Sequence, residues 1–238
     1  MINLYRNMMA RVGAVIVLAW AFAIGTASTA DATLILRLDD PTTSGIEVTV
    51  ADQGAGDINP DVGAITFMGS VGAFTMNVSS GFSKPVLGSA AFPSIDLNSF
   101  DLTTAATGGS LQIWLTDTGF TALGPAMMAI GGVTAGNVTY TAWADESNVE
   151  FATGNQIGSL GPLSGAFSGT TGTSGLVASL SPYSLTQRVS IVHPTIGTGV
   201  EPRATSFNAT LVVPEPATLA LLSLGLVGLA VFARRRAQ

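Results

Sequence analysis

The chain is 238 residues long, with nine Lys and Arg against fifteen Asp and Glu and a formal net charge of −6. It contains no cysteine, which excludes a disulfide scaffold, a thiolate nucleophile and a cysteine-ligated metal. One histidine and an acidic balance argue against an imidazole-built zinc site and against a nucleic-acid partner, whose phosphates such a surface repels.

Arg6 and Arg11 precede an uncharged run from Val12 to Ile24, and small residues follow. That is the order of a secretory signal peptide, and the run is too short to span a bilayer. Ala30-Asp31-Ala32 gives an A-x-A site with cleavage after Ala32, which we prefer to cleavage after Ala30, so residues 1–32 read as a leader. The mean hydropathy of +0.49 is raised by this segment and by a second apolar run at the other end. The body between them, about 33–212, carries most of the acids and has the length of one ordinary domain.

Within the body the hydrophobic period is two. Leu34, Leu36 and Leu38 alternate with Ile35 and Arg37, and Ile46, Val48 and Val50 with Glu47 and Thr49, as in half-buried strands. The runs 64–68 and 73–79, separated by Gly69-Ser70-Val71-Gly72, predict a β-hairpin in which Ile65 and Phe67 face Phe74, Met76 and Val78. Further strands are expected at 94–98, 111–117, 126–131, 138–144, 185–193 and 206–213. The stretch 154–181, rich in Gly, Ser and Thr, reads as long loops with one strand near 163–167. No 3.6-residue stripe is sustained anywhere in the body. The expected fold is therefore all-β, an antiparallel β-sandwich of jelly-roll-like or immunoglobulin-like topology, flanked by an N-terminal signal-peptide helix and a C-terminal transmembrane helix.

Chemistry is sparse. His193 ends a strand before Pro194, no G-x-S-x-G elbow or P-loop occurs, and we read His193 as structural and the chain as no enzyme. Asp52, Asp57, Asn59 and Asp61 fall in one loop, and oxygen ligands at such spacing are what Ca²⁺ takes, although a twelfth-position glutamate is missing. The competing reading is a turn-rich linker whose side chains satisfy local backbone groups. Trp114 and Trp143 lie on the polar phase of their strands, where they either stack on sugar rings or pack beneath a loop.

Val213-Pro214-Glu215-Pro216 precedes seventeen uncharged residues, Ala217 to Ala233, and then Arg234-Arg235-Arg236. As a helix the run would be about 25 Å long, a marginal span. Three arginines after it hold the C-terminus in the cytoplasm and place the body on the other side. The two prolines make Glu215 extended and accessible, a shape a membrane-embedded protease could bind.

This arrangement, residues 213–238, resembles the PEP-CTERM sorting signal of Gram-negative bacteria that make extracellular polysaccharide. The resemblance implies processing near the motif by an exosortase-type membrane protease, after transient anchoring in the inner membrane, and delivery to the cell surface or outside. Two functions are compatible with it. One is a non-enzymatic envelope or extracellular-matrix protein with a structural or interaction role. The other is a secreted carbohydrate-binding module or weak glycan-active enzyme, with extracellular polysaccharide as a partner. No cofactor is expected beyond the Ca²⁺ that the acidic loop could take.

Overall fold

The computed structural model describes residues 34–103, 108–171, 180–195, 203–214 and 225. The predicted leader at 1–32 and, apart from Gly225, the predicted apolar span and its basic tail lie outside them. Among the described residues no helix is long and apolar enough to cross a membrane.

Among the described residues ten strands follow one another: β1 Ile35–Asp39, β2 Val48–Ala51, β3 Ala64–Val71, β4 Phe74–Phe82, β5 Ser94–Thr103, β6 Gly109–Phe120, β7 Met127–Asp145, β8 Asn155–Thr170, β9 Tyr183–His193 and β10 Arg203–Val212. All pairings are antiparallel and form one hydrogen-bonded path, β2-β1-β6-β9-β7-β10-β5-β4-β3, with β8 on the other side of β7. The expectation of an all-β antiparallel body holds.

The path folds at β7. Its first half, Met127 to Thr134, pairs with β10, whereas Asn137 to Asp145 pairs with β9. β8 follows β7 through both halves, with its register shifted between Thr134 and Val138. The β7-β8 ribbon thus turns over one end of the molecule and sets β3-β4-β5-β10 against β2-β1-β6-β9, with β4 and β5 meeting β6 and β3 meeting β1 and β2. Between the halves lies one core, including Leu36, Ile65, Met76, Leu97, Ile113, Tyr140, Val189 and Leu211, each at most 1% exposed. Each such side chain contributes about 1.5–3 kcal/mol of burial, and the period-two pattern exists because every strand has one face on this core.

Four expectations need correction. The runs at 126–131 and 138–144 are not two strands but the two halves of β7, because Gly132 and Gly136 let backbone pass where a Cβ would collide with the neighbouring chain at Ser206 and Phe207 or at Val192. The hairpin turn sits at Gly72 and Ala73, not at 69–72; Gly72 has φ +53° and lies against Asp40, which leaves no space for a side chain. A bulge on β4 between Met76 and Val78, which shifts its register against both β3 and β5, changes the phase, so Phe74 and Met76 are buried while Val78 faces out. Finally, the expected strand near 163–167 is part of a longer one, since β8 occupies Asn155–Thr170 where loop was expected, while 172–179 lie outside the described residues. β8 is an edge strand with an outward face, and its apolar Ile157, Leu160, Leu163 and Phe167 are spaced by three and four because bulges interrupt its pairing with β7.

The registers also define two ends. At one end lie the β3-β4 turn, the crossing of the β7-β8 ribbon and the junction of β9 with β10. At the other lie Leu34, the loops 52–63, 83–93, 121–126 and 146–154, and Val213 with Pro214, so both ends of the described body leave from the same side.

Candidate functional site

The predicted sorting motif begins inside the fold. Val212 closes β10 between Ser94 of β5 and Met127 of β7. Val213 is 2% exposed and donates its N–H to the Pro93 carbonyl at 3.0 Å. Pro214 is half-buried, with its carbonyl close to Gly124. Glu215, Pro216 and Arg234, Arg235 and Arg236 lie outside the described residues. Any linker between the sandwich and the motif has zero length.

The acidic loop is engaged with itself. Asp57 Oδ1 accepts the N–H groups of Asn59 (2.8 Å) and Thr66 (3.0 Å), and its Oδ2 accepts that of Gln53 (3.1 Å). Asn59 Oδ1 accepts Asp61 N–H at 3.0 Å, and Asp52 Oδ2 accepts Gly63 N–H at 2.7 Å. These are the local bonds by which Asp and Asn hold turns. Among the described residues no three His, Asp or Glu side chains converge as a metal site would require.

Trp114 and Trp143 meet. They project from β6 and β7 on the outer face of the β1-β6-β9 half, stacked at 5.6 Å between ring centroids and 16° between planes. The Arg188 guanidinium sits 4.8 Å from the Trp114 ring and 5.1 Å from the Trp143 ring, and Arg37 covers Phe151 at 3.7 Å. Segment 146–154 is fastened over this face: Phe151 N–H donates to Thr116 Oγ1 (3.2 Å) and Ser184 Oγ to the Val149 carbonyl (2.7 Å). Trp143 is accordingly 7% exposed, and burial lowers the Arg188 pKa from its ordinary value. Cation–π contact, favoured by partial desolvation, holds the cluster.

His193 is 2% exposed, with Nε2 2.7 Å from Thr205 Oγ1 and its ring against Phe74. Burial, with Arg203 nearby, pulls its pKa down to about 4. A neutral imidazole enclosed by the core is placed to complete a hydrogen bond rather than to meet a substrate.

One feature was missed by sequence reasoning. On the outer face of the β5-β10-β7-β8 region runs an open groove of about 590 Å³, lined by Ala129, Gly131, Ser168, Thr170, Asn208 and Thr210 among others. It exists because Ala129 and Gly131 are small and lie in register between the longer side chains of β10 and β8. Asp96 accepts from Thr210 Oγ1 at 2.7 Å and, at 3.4 Å each, from the amides of Asn98 and Asn208, so one wall is a fixed ladder of polar groups. The signal was present as the polar phase of β5 and β10, but only strand pairing sets those phases side by side.

The comparisons with known proteins bear on the C-terminus. The family profile described as the PEP-CTERM protein-sorting motif matches residues 212–236. The chain carries a PEP-CTERM sorting motif. This motif is a substrate signal for exosortase processing and implies export. No curated protein matches the chain in sequence. Among solved structures, TmCBM61 in complex with β-1,4-galactotriose is similar at 8% identity, over 57% of this chain and 88% of that one, with a TM-score of 0.33. The enzymatically active domain of bacteriophage CBA120 tailspike protein 4 is similar at 8% identity, 60% and 20% coverage and a TM-score of 0.31. A carbohydrate-binding module of the β-sandwich superfamily gives 10%, 78% and 86%, and 0.29. At such scores the architecture rests on the strand pairing described above.

Proposed function

We propose that the protein is an exported envelope or extracellular-matrix component whose β-sandwich has a structural or interaction role without catalysis. In this reading the leader takes the chain through the inner membrane, the run Ala217 to Ala233 holds it there with the arginines in the cytoplasm, and an exosortase frees it near Pro214-Glu215-Pro216 for the surface or the medium. The observation that supports it is the match at residues 212–236, set directly after the last strand of an all-β body. Its test is mass spectrometry of the mature protein from cells with and without the sorting protease. Replacing both Pro214 and Pro216 by Ala is expected to leave the tail attached, and Arg234 to Arg236→Ala to impair retention. The same trimmed C-terminus in the proline variant would refute the reading.

A second reading, a carbohydrate-binding module, is favoured by the groove, where hydroxyl, amide and carboxylate groups stand in a row beside small residues. Glycan-binding assays in which Asn208→Ala removes binding without changing the melting temperature would select it over a purely structural role.

A further inference from the structure

The end of the sandwich from which the chain leaves has an unusual surface. Phe92, at 50% exposure, precedes Pro93, whose carbonyl holds Val213; Met127, at 45%, faces Val212 across the β7-β10 pair; Leu123, at 38%, adjoins Gly124 beneath Pro214. Val86 (52%) and Leu180 (61%) extend the patch, the first in the loop before Phe92 and the second ahead of Tyr183, which bonds the Ala122 carbonyl. The segments 85–95, 121–127 and 180–183 contain no charged residue. Acidic groups of this end, Asp52, Asp57 and Asp61 in one loop and Glu146 and Glu150 in another, stand on the β2-β3 edge and over the opposite outer face. Isolated exposed apolar residues are ordinary, but a contiguous uncharged set marks a contact surface.

The position of this set identifies its partner. Val213 is fixed in the sheet and the uncharged run begins at Ala217, so the three residues between them allow a Val213-to-Ala217 span of at most about 14 Å when fully extended. Any membrane that holds the run therefore lies within reach of the patch. We propose that Val86, Phe92, Leu123, Met127 and Leu180 seat this end of the sandwich on the lipid surface while the sorting tail is in the membrane, an inference that rests on the sorting function proposed above. Apolar side chains entering the headgroup and acyl boundary gain burial, and the absence of charge in these loops avoids desolvating an ion there. The sandwich then stands upright beside the protease with its motif presented at membrane level.

Because the chain has no cysteine, a single introduced thiol is a unique label. The full chain carrying Phe92→Cys, Leu123→Cys or, at the far end, Ser70→Cys is labelled with an environment-sensitive fluorophore. It is then reconstituted into phosphatidylethanolamine–phosphatidylglycerol vesicles containing nitroxide-bearing lipid. Expected is flotation of all three with the vesicles and several-fold stronger quenching at positions 92 and 123 than at 70. Flotation with equal quenching at all three positions overturns the seating while leaving the anchor intact. Failure to float overturns the anchor and the seating together. Phe92→Ser with Leu123→Ser, read by a label at Val86→Cys, should bring quenching down to the level of position 70; undiminished quenching counts against the named side chains.

Discussion

At the scale of the residue, the sandwich interior holds three polar groups whose titration or pairing is set by burial. Asp101 is fully buried on β5; Ser99 Oγ donates to its Oδ1 at 2.7 Å and its Oδ2 has no hydrogen-bond partner. Burial therefore raises its pKa to about 7, against the lowering effect of the Ser99 bond. A folded-state pKa above the ordinary 3.8 gives stability that is complete below pH 3.8 and is lost as pH rises through about 7. His193 has the opposite sign, since its stability is present above 6.5 and lost as pH falls through about 4. Between those limits the two offset each other. Asp101→Asn is thus expected to raise the melting temperature most above pH 7 and to leave a steeper loss on acidification, measured by thermal unfolding from pH 4 to 8. Lys84, the chain's one lysine, is 5% exposed and bonds Asp117 at 2.7 Å and the Thr118 carbonyl at 2.5 Å, and Ser83 Oγ also donates to Asp117. Lys84→Ala strands a buried carboxylate and is expected to cost about 3–5 kcal/mol, whereas Lys84→Met with Asp117→Leu should cost clearly less. Urea unfolding decides between them.

At the scale of the element, the outer face of β6, β7 and β9 is a second, smaller core. Trp114, Trp143, Arg188, Arg37 and Phe151 pack rings against guanidinium groups, and segment 146–154 closes over them through Asn148, Val149 and Phe151. Trp143 stacks on Trp114 and lies against Arg188 within this cluster. Trp143→Ala is expected to lower unfolding free energy by about 3–5 kcal/mol and to speed amide exchange in 146–154. Unchanged exchange there would mean the segment is held by its hydrogen bonds alone. The same packing explains why a polar strand phase carries two tryptophans: what looks like a solvent face in one strand is the floor under a loop from another.

At the scale of the whole molecule, the sorting signal and the fold share residues. Val212 is a strand residue and Val213 a core residue, so a protease cannot cut before Pro214 without pulling an end of β10 out of the sheet. The mature C-terminus is therefore expected at or beyond Pro214, read by intact mass of the released protein; an end upstream of Val213 would show that processing precedes folding. Leu34 and Pro214 lie at the same end of the body, so the described chain enters and leaves it on one side.

Alternation in β1, β6, β9 and β10 was legible because each strand keeps one face on the core, which writes a period of two into Leu34, Leu36 and Leu38 or Leu111, Ile113 and Leu115. The sorting motif was legible for a different reason: its three parts act in order along the chain and need no partner from elsewhere. β8 was legible only near 163–167, since an edge strand with bulges has no regular apolar phase and draws its structure from hydrogen bonds to β7. Nor was the groove, whose walls come from β10 and β8 and whose floor comes from β7. What the sequence determined by itself is local, namely strand period, turn chemistry and the address at the C-terminus. Which face of each strand meets solvent, where β7 turns over, and which apolar loops surround the exit were decided by tertiary structure, because pairing and packing join residues that the chain keeps far apart.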